Sequence, residues 1–359
     1  MNKKWMIYGA NGYTGSLIAR EAAKRGQKPV LAGRNKSEIE ALATQLGFEY
    51  TIFDLTDTAI VEDNLSRVDL VLNCAGPFTR TVRALLDACF SVHCHYLDIS
   101  GELNVFEYCF GEGKRAALAK CIVCPGVAFD IVPTECVAAK LKELLPNADS
   151  IKLGFDGQMA LSQGSSITLL EGIGDPDLTV YMIRDNGHIQ HLEKPRIERI
   201  AFERGEPPRK AMAITWADLN GAFYSTDVPN IAVYVPATHI NRMSFACMKW
   251  MKPFVSKSSV QLLLSKAIKA LVKGPSEQDL EEGSMSIFGE AHSQDGKAVR
   301  IYIKVVHGYR FTCYSALSAV DFCLNNDDKH GYFTPSQLLG ADFVESVQGS
   351  SKFQIERIA

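Results

Sequence analysis

The first third of the chain alternates short apolar runs with amphipathic stretches, and this alternation strongly limits the folds available to it. Residues 16–25 and 36–46 carry apolar side chains at helical spacing with charges between them. Strands and helices that alternate at this interval predict right-handed βαβ units, and therefore a parallel sheet covered by helices on both faces. We predict a doubly wound α/β domain of the Rossmann type over residues 1–128. Its predicted strands are residues 5–8, 29–32, 50–53, 70–73, 95–99 and 121–124.

The pattern changes near residue 130, where strand-like segments follow one another with few helices between them. Asn186 and Gly187 form a favourable turn pair between two strand-like arms and predict a β-hairpin. Grouped strands of this kind predict an antiparallel α+β domain, which we place at residues 129–320. A chain of 359 residues is also longer than one hydrophobic core usually serves, which favours two domains.

A glycine-rich turn, GANGYTG, lies where the first predicted strand meets the first predicted helix. Gly9 permits a tight turn, Gly12 lets the backbone approach a pyrophosphate, and Gly15 lets the helix pack closely on the strand. The helix N-terminus then presents N–H groups and a positive dipole end to phosphate oxygens. The motif, placed after a strand and before a helix, predicts a dinucleotide site. The other turn residues assigned to this site are Asn11, Tyr13 and Thr14.

The residues after the second predicted strand indicate which dinucleotide is bound. A site for NAD(H) usually places an acidic residue there to bind the ribose hydroxyls. Here the segment reads LAGRNK, and the first carboxylate after it is Glu38. Arg34, with Asn35 beside it, can hydrogen-bond a 2′-phosphate and stack on an adenine, whereas Lys36 fits a solvated charge better. We therefore predict a preference for NADP(H).

Two further strand ends complete the predicted cofactor site. Asp54 follows the third strand, at a position that commonly lies near the adenine in such folds. The segment NCAGP follows the fourth strand, at the carboxyl edge where open α/β sheets bind ligands. Because small residues let the backbone touch the cofactor, we expect this segment to meet the ribose and nicotinamide. Its assigned residues are Asn73, Ala75, Gly76 and Pro77.

Five segments spread over nearly the whole chain stand out together: GANGYTG, AGRN, NCAGPF, HYLDISGE and GYFTPSQLLGADF. The first four occur in order on predicted strand ends. Together they resemble the saccharopine dehydrogenase-like oxidoreductases, a family that includes trans-acting enoyl reductases. The resemblance implies a Rossmann domain, an inserted α+β domain, and a C-terminal segment, residues 321–359, with a helix that returns to the first domain. It also implies NADP(H) as the hydride carrier and leaves the substrate open.

Candidates for acid–base chemistry lie after the fifth and sixth predicted strands. Asp98, Ser100 and Glu102 follow the fifth strand, and Asp130 follows the sixth. Reduction of a carbonyl, imine or conjugated alkene needs a proton as well as a hydride, and a carboxyl group with a raised pKa in a dry cleft can supply it. Structural roles are the alternative: Asp98 can tie the strand end to a loop, and Glu102 can be a charge at a helix N-terminus.

Three functions are compatible with these residues. The first is an NADP(H)-dependent oxidoreductase acting on a small or lipid-like metabolite, at a C–N bond or an enoyl C=C bond. Saccharopine itself carries several carboxylates and would require clustered arginines, whereas those of the second domain are scattered along the sequence. The second is a non-catalytic NADPH-binding sensor or scaffold protein. The third is an atypical short-chain dehydrogenase, which is disfavoured because none of the twelve tyrosines is followed four residues later by lysine.

Composition excludes several other classes. A net charge of −3 gives no general attraction to nucleic acid, and no apolar run has the length of a transmembrane helix. The N-terminal segment lacks the features of a signal peptide, so we expect a cytoplasmic protein. Most of the ten cysteines sit in apolar runs as small hydrophobes, and no cluster has zinc-ligand spacing, so we expect no metal site.

Residues 243–273 contain six lysines, no acidic residue and several large apolar side chains, including Phe245, Trp250 and Phe254. This composition fits a helical pair that covers the second sheet, with lysine stems over apolar surface. It also fits weak contact with a membrane surface. Separately, an antiparallel sheet in the second domain offers a surface for a two-fold homodimer.

Overall fold

The computed structural model describes the chain except for residues 1, 2, 158, 159, 175–178, 256, 327 and 359. The strands are β1 Trp5–Tyr8, β2 Val30–Gly33, β3 Tyr50–Ile52, β4 Leu70–Asn73, β5 His95–Asp98, β6 Ile122–Cys124, β7 Ala148–Asp156, β8 Met182–Asp185, β9 His188–His191, β10 Ile197–Ile200, β11 Arg209–Ile214, β12 Asn230–Pro236, β13 Ser284–Ser293, β14 Ala298–Val306, β15 Gly331–Tyr332 and β16 Gln354–Arg357. The helices are α1 Tyr13–Lys24, α2 Lys36–Leu46, α3 Thr58–Leu65, α4 Phe78–Val92, α5 Leu103–Gly111, α6 Gly113–Leu118, α7 Val132–Leu144, α8 Gln163–Gly174, α9 Asp218–Thr226, α10 His239–Val255, α11 Ser258–Leu271, α12 Glu277–Glu282, α13 Gly308–Asn325, α14 Pro335–Leu339 and α15 Phe343–Ser346.

The chain forms two compact units, and it passes between them more than once. The first unit comprises residues 1–130 and 309–339, and the second comprises residues 131–308 and 340–359. These limits differ from the expected ones at residues 128 and 320. The C-terminal segment is divided: β15 pairs with β6 in the first unit, whereas β16 pairs with β14 in the second. Because each strand pairs with a partner that is distant in sequence, no local sequence signal shows where the C-terminal segment passes from the first unit to the second.

The first unit contains a seven-stranded sheet in the order β15-β6-β5-β4-β1-β2-β3, with all neighbours parallel. This is the strand order of a doubly wound Rossmann sheet with one added edge strand. Every residue of β1 and β4 is buried, because helices cover both faces of a parallel sheet. The predicted α/β fold is confirmed.

The second unit contains a nine-stranded sheet in the order β10-β11-β12-β7-β13-β14-β16, with the β8–β9 hairpin joined through β12. The hairpin turns at Asn186 and Gly187, both with positive φ, as the sequence indicates. The expectation of a wholly antiparallel sheet is wrong, because β7 and β12 pair in parallel. A parallel neighbour requires a long crossover connection, and residues 157–229 supply it.

Helix α7 packs against the second sheet at Gly289. A side chain at Gly289 on β13 would collide with Val137 and Leu141 of α7. Glycine therefore sets the spacing between this helix and the sheet. Residues 334–347 contain two short helices, α14 and α15, because the chain turns at Gly340 with φ +93°.

Candidate dinucleotide-binding site

The glycine turn after β1 is held between the ends of β2 and β4. Gly9 has φ +83°, a backbone conformation that favours glycine, and its N–H donates to Ala32 O at 2.8 Å. The N–H of Gly12 donates back to Gly9 O at 3.0 Å, which closes the turn. A Cβ atom at Gly9 would lie 2.8 Å from the Cβ and N atoms of Ala75, and one at Gly15 would overlap Gly9 O.

These contacts place the turn at the point where the strand order of the sheet reverses. Strand β1 lies between β4 and β2, so the chain winds in opposite directions on its two sides. In open α/β sheets, ligands bind outside the carboxyl ends of the strands at this switch point. The close approach of Gly9 to Ala75 brings the β1 and β4 loops together there. Gly12 occupies the N-cap position of α1, so this helix has no N-cap side chain that would take up its N–H groups.

The loop after β4 is fixed by a chain of hydrogen bonds centred on Asn73. Its buried amide nitrogen donates to Thr81 Oγ1 at 3.0 Å and to Tyr96 Oη at 3.1 Å. Its Oδ1 accepts from the N–H of Ala75 at 3.0 Å, and the Thr81 hydroxyl donates to Ala75 O at 3.0 Å. Asn73 therefore shapes the loop from within, and Ala75, Gly76 and Pro77 form the backbone that it presents.

Arg34 and Asp54 lie together at the ends of β2 and β3. The Arg34 side chain is 75% exposed, and its Nη1 lies 3.9 Å from Asp54 Oδ2. Hydrogen bonds from Thr56, together with the nearby Arg34 charge, hold the pKa of Asp54 below its usual value. Arg34 is thus exposed at the carboxyl edge of the sheet, and its contact with Asp54 is long and solvated.

Asn11 and Asn35 act within the protein at the entrance to α2. Asn35 is the N-cap of α2, and its Oδ1 accepts from the Ser37 hydroxyl at 3.0 Å. Asn11 Nδ2 donates to Glu38 Oε2 at 2.7 Å, and a Cβ atom at Gly33 would lie 3.0 Å from Asn11 Oδ1. The pair fixes the glycine turn against the segment that carries Arg34.

Asp98 is completely buried at the end of β5 and is surrounded by donors. Its Oδ2 accepts from Tyr96 Oη at 2.9 Å, and its Oδ1 accepts from the N–H groups of Ser100 and Gly126 at 2.9 and 2.8 Å. Burial raises the pKa of Asp98 to about 6 despite these hydrogen bonds. The carboxyl group ties the β5 loop to the β6 loop.

Glu102 binds the N-terminus of α4. Its Oε1 accepts from the N–H of Phe78 at 2.8 Å, and its Oε2 accepts from the N–H of Thr79 at 3.0 Å. Ser100 Oγ in turn accepts from the N–H of Glu102 at 3.0 Å. Burial raises the pKa of Glu102, and the two amide donors counteract that shift. A carboxylate at this position also complements the positive end of the helix dipole.

Asp130 is at the end of the loop after β6, in contact with the β5 loop. A Cβ atom at Gly101 would lie 3.0 Å from Asp130 Cβ and 3.1 Å from its Oδ2. Burial raises the pKa of Asp130 to about 6. The structure therefore brings Asp98, Glu102 and Asp130 to neighbouring loops of one sheet edge.

A family model for the saccharopine dehydrogenase NADP binding domain matches residues 5–120, which contain the glycine turn, Arg34 and the β4 loop. Residues 5–120 are a saccharopine dehydrogenase-type NADP-binding domain. The predicted cofactor, NADP(H), is the one for which this domain is named.

Curated relatives of this NADP-binding domain carry two kinds of name. The trans-acting enoyl reductase of Mycobacterium ulcerans is 28% identical over 141 residues, which are 36% of this chain and 33% of the relative. A probable mitochondrial saccharopine dehydrogenase-like oxidoreductase of Arabidopsis thaliana is 33% identical over 147 residues, 36% of this chain and 32% of the relative. A saccharopine dehydrogenase-like oxidoreductase of Bos taurus is 26% identical over 150 residues. The matched segment spans about a third of each relative's length.

The fold of the whole chain is similar to that of a solved enzyme. Apo saccharopine dehydrogenase (L-Glu forming) from Saccharomyces cerevisiae covers 99% of this chain at a TM-score of 0.61 and 11% sequence identity. All of that enzyme's chain is covered. At this identity the similarity establishes a common fold for both units.

Three residues at the candidate site of the first unit were missed from sequence. Thr81 and Tyr96 complete the Asn73 network, and Tyr309 packs edge-on against Tyr13 with ring centroids 5.1 Å apart. Alternation along β5 signals that Tyr96 and Asp98 share a face. Tyr309 is nearly 300 residues from Tyr13 and gives no such signal.

Proposed function

We propose that this protein is an NADP(H)-dependent oxidoreductase that transfers a hydride to or from a small or lipid-like metabolite. The observation that carries the proposal is the close approach of Gly9, in the glycine turn, to Ala75 in the β4 loop. Arg34 lies beside this turn, at the end of β2. When bound, NADP(H) would donate or accept the hydride. The glycine turn and the N-terminus of α1 would hold its pyrophosphate, and Arg34 would bind its 2′-phosphate.

In this proposal the three carboxyl groups have different roles. Asp98 and Glu102 accept backbone hydrogen bonds and position the β5, β6 and α4 segments. Asp130 is the proton donor, because burial raises its pKa to about 6 and its carboxyl lies against the glycine of the β5 loop. A carboxyl group with a pKa close to working pH is suited to give up a proton while a hydride is added.

Four arginines of the second unit are engaged in internal contacts, which favours a substrate without several carboxylates. Arg184 is buried and donates to Leu219 O, Gly187 O and Asn220 Oδ1. Arg199 donates to Pro208 O. Arg204 pairs with Glu356, and Arg209 pairs with Asp156. Side chains engaged in this way would have to break internal contacts before they could bind a tricarboxylate such as saccharopine. We therefore favour an enoyl C=C bond over the C–N bond of saccharopine.

A substrate screen with NADPH tests the proposal. The purified protein is incubated with an enoyl thioester, an unsaturated ketone, a cyclic imine, and separately with saccharopine and NADP⁺, and nicotinamide absorbance is followed. We expect turnover of an enoyl substrate, with kcat lowered roughly 10²-fold or more by Asp130→Asn. Asp63→Asn, which changes an exposed carboxylate on α3 of the same unit, serves as the matched control for kcat.

Two outcomes would contradict the proposal in different ways. Tight NADPH binding without turnover of any substrate would favour a sensor or scaffold protein. If Asp130→Asn leaves kcat unchanged, the protein is still an oxidoreductase, but Asp130 is not its proton donor.

A further inference from the structure

Helices α10 and α11 expose many large apolar side chains. Sixteen large apolar side chains are exposed in the described part of the chain, and seven of them lie in these two helices. They are Ile240, Met243, Trp250, Phe254, Leu262, Leu263 and Leu271. We call this exposed surface the α10–α11 face. A cluster of this kind on one segment marks an interaction surface, whereas single exposed apolar residues do not.

The exposed residues of α10 follow helical spacing. Ile240, Met243, Cys247, Trp250 and Phe254 recur at intervals of three and four, so they form one stripe along the helix. Trp250 is 72% exposed, and its ring lies 5.5 Å from that of Phe254. The opposite side of the helix is already used, because α10 and α11 both pack against α8.

Helix α11 also exposes leucines, and it adds a charge. Leu262 and Leu263 are 60% and 68% exposed, and Leu271 is 79% exposed. Lys266 is exposed between them. An open groove of about 580 Å³ lies beside α10, and its lining combines apolar and charged residues: Tyr181, Trp250, Pro253, Pro195, Ala246, Glu193, Lys194 and Lys249.

Charge is strongly segregated around the α10–α11 face. Residues 228–276 contain seven Lys or Arg and no Asp or Glu, so 31 of the 38 basic residues and all 41 acidic residues belong to the rest of the chain. The segment is therefore a cationic region on an otherwise anionic protein. Lysines that flank exposed Trp, Phe and Leu are the signature of a helix that lies at the boundary of an anionic bilayer.

The same charges argue against a second copy of the chain as the occupant. A two-fold dimer places the same patch of both subunits face to face. Exposed lysines of this face, such as Lys266, would then lie opposite the same lysines of the other copy, and residues 228–276 contain no acidic residue to compensate. The surface of an anionic bilayer offers negative charge to the lysines and an apolar interior to the stripe.

We propose that the α10–α11 face binds the surface of a bilayer that contains anionic phospholipid. The apolar stripe enters the region between headgroups and acyl chains, and the lysines contact lipid phosphates and carboxylates. Contact is peripheral, since no helix of the described residues is long and apolar enough to cross a membrane. The oxidoreductase activity proposed above is not needed for this binding.

Vesicle binding by the full chain tests the proposal. Vesicles of phosphatidylcholine alone are compared with equal mixtures of phosphatidylcholine and phosphatidylserine, by co-sedimentation and by tryptophan emission. We expect binding to the mixed vesicles only, weakened by salt, with a blue shift that Trp250→Phe removes. Lys266→Gln and Lys273→Gln should each lower the partition coefficient roughly fivefold. Trp250→Ser with Phe254→Ser should lower it as well.

The matched control is on α6, which exposes a leucine and a lysine of the first unit. Leu118 is 84% exposed, and Lys114 is exposed on the same helix. Leu118→Ser with Lys114→Gln should leave vesicle binding unchanged. The proposal is overturned by equal binding to both kinds of vesicle, or by mixed-vesicle binding that the face variants do not weaken. Absence of vesicle binding overturns it too, including the case in which the chain dimerises through Trp250.

Discussion

Arg34 carries a specific prediction at the scale of the single residue. Its guanidinium is three-quarters exposed at the end of β2, where a 2′-phosphate would lie if the cofactor binds as proposed. Arg34→Ala removes a charge-assisted hydrogen bond, so NADPH binding should weaken by about 1.5–3 kcal/mol, or tenfold and more. NADH lacks the phosphate and should bind as before. Calorimetric titration with both dinucleotides measures the difference.

Lys36→Ala is the control for Arg34, because both side chains are exposed cations of the same segment. Removing Lys36 should change NADPH affinity far less, since it begins α2 and presents a single flexible charge. If both variants lose NADPH affinity equally, the effect is the general electrostatic field of the segment. If Arg34→Ala weakens NADH binding as much as NADPH binding, Arg34 does not contact the 2′-phosphate.

Asp98 gives a pH-dependent prediction. Its pKa is about 6 in the folded protein and roughly 3.9 in an unfolded chain. The folded protein therefore favours the protonated form of Asp98. The stabilisation that protonated Asp98 gives to the folded state is complete below about pH 4 and is lost as pH rises to about 6. Relative to Asp98→Asn, the wild type should lose about 3 kcal/mol of unfolding free energy across this window.

The measurement for Asp98 uses urea unfolding followed by the fluorescence of Trp5, a buried reporter of the first unit, with Trp216 and Trp250 changed to Phe. Asp54→Asn is a control of opposite sign. The pKa of Asp54 is lowered in the folded protein, so its contribution is lost as pH falls. If the unfolding free energies of the wild type and Asp98→Asn change in parallel at every pH, the pKa of Asp98 is not raised.

The sequence predicted the positions of the polar residues better than their roles. Strand ends correctly located Asn73, Asp98 and Glu102 at one edge of the sheet, because parallel strands bring their carboxyl ends together. Which donor each oxygen meets depends on loop conformation. Glu102 reaches Phe78 and Thr79 from 23 and more residues away, and nothing in the local pattern specifies that contact.

At the scale of the element, the glycine turn can be tested against another glycine with similar φ. Gly9 and Gly26 have φ +83° and +73°, but a Cβ atom at Gly9 meets Ala75 at 2.8 Å, whereas one at Gly26 meets nothing within 4 Å. Gly26→Ala should cost only the left-handed backbone strain of about 1–2 kcal/mol. Gly9→Ala adds the collision and should also abolish NADPH binding.

Urea midpoints and NADPH titrations of the two glycine variants separate the effects. If Gly26→Ala binds NADPH normally while Gly9→Ala does not, the contact between the turn and the β4 loop is required for the site. If both bind normally, the turn has room to move away from Ala75 and the observation that carries the proposed function fails.

Elements with strong periodicity were predictable, and elements defined by distant partners were not. The bounds of β1, β4 and α2 match the predicted ones, since apolar runs and helical spacing are local signals. Strand β15 has two residues and exists only through its pairing with β6, which begins more than 200 residues earlier. The parallel pairing of β7 with β12 also depends on strands that are distant in sequence, so it could not be predicted locally.

At the scale of the whole molecule, the first unit is completed by a segment that the second unit separates from it in sequence. The N–H of Phe129 donates to Thr312 Oγ1 at 3.0 Å, and the Ser315 hydroxyl donates to Val127 O at 2.9 Å. Residue 130 and α13 are therefore neighbours. This return of the chain was implied by family resemblance and has no counterpart in local sequence pattern.

A spliced chain tests this organisation. Residues 3–130 joined to residues 309–339 by a short Gly-Ser linker should fold and bind NADPH. Residues 3–130 alone should not, because Phe311, Leu317 and Val320 of α13 are fully buried. Each contributes roughly 1.5–3 kcal/mol of apolar burial, and their sum is comparable with the total stability of a domain. The matched control carries serine at these three positions. Equal NADPH affinity in the spliced chain, the serine control and the shorter fragment would mean that α13 packs on a site already complete without it.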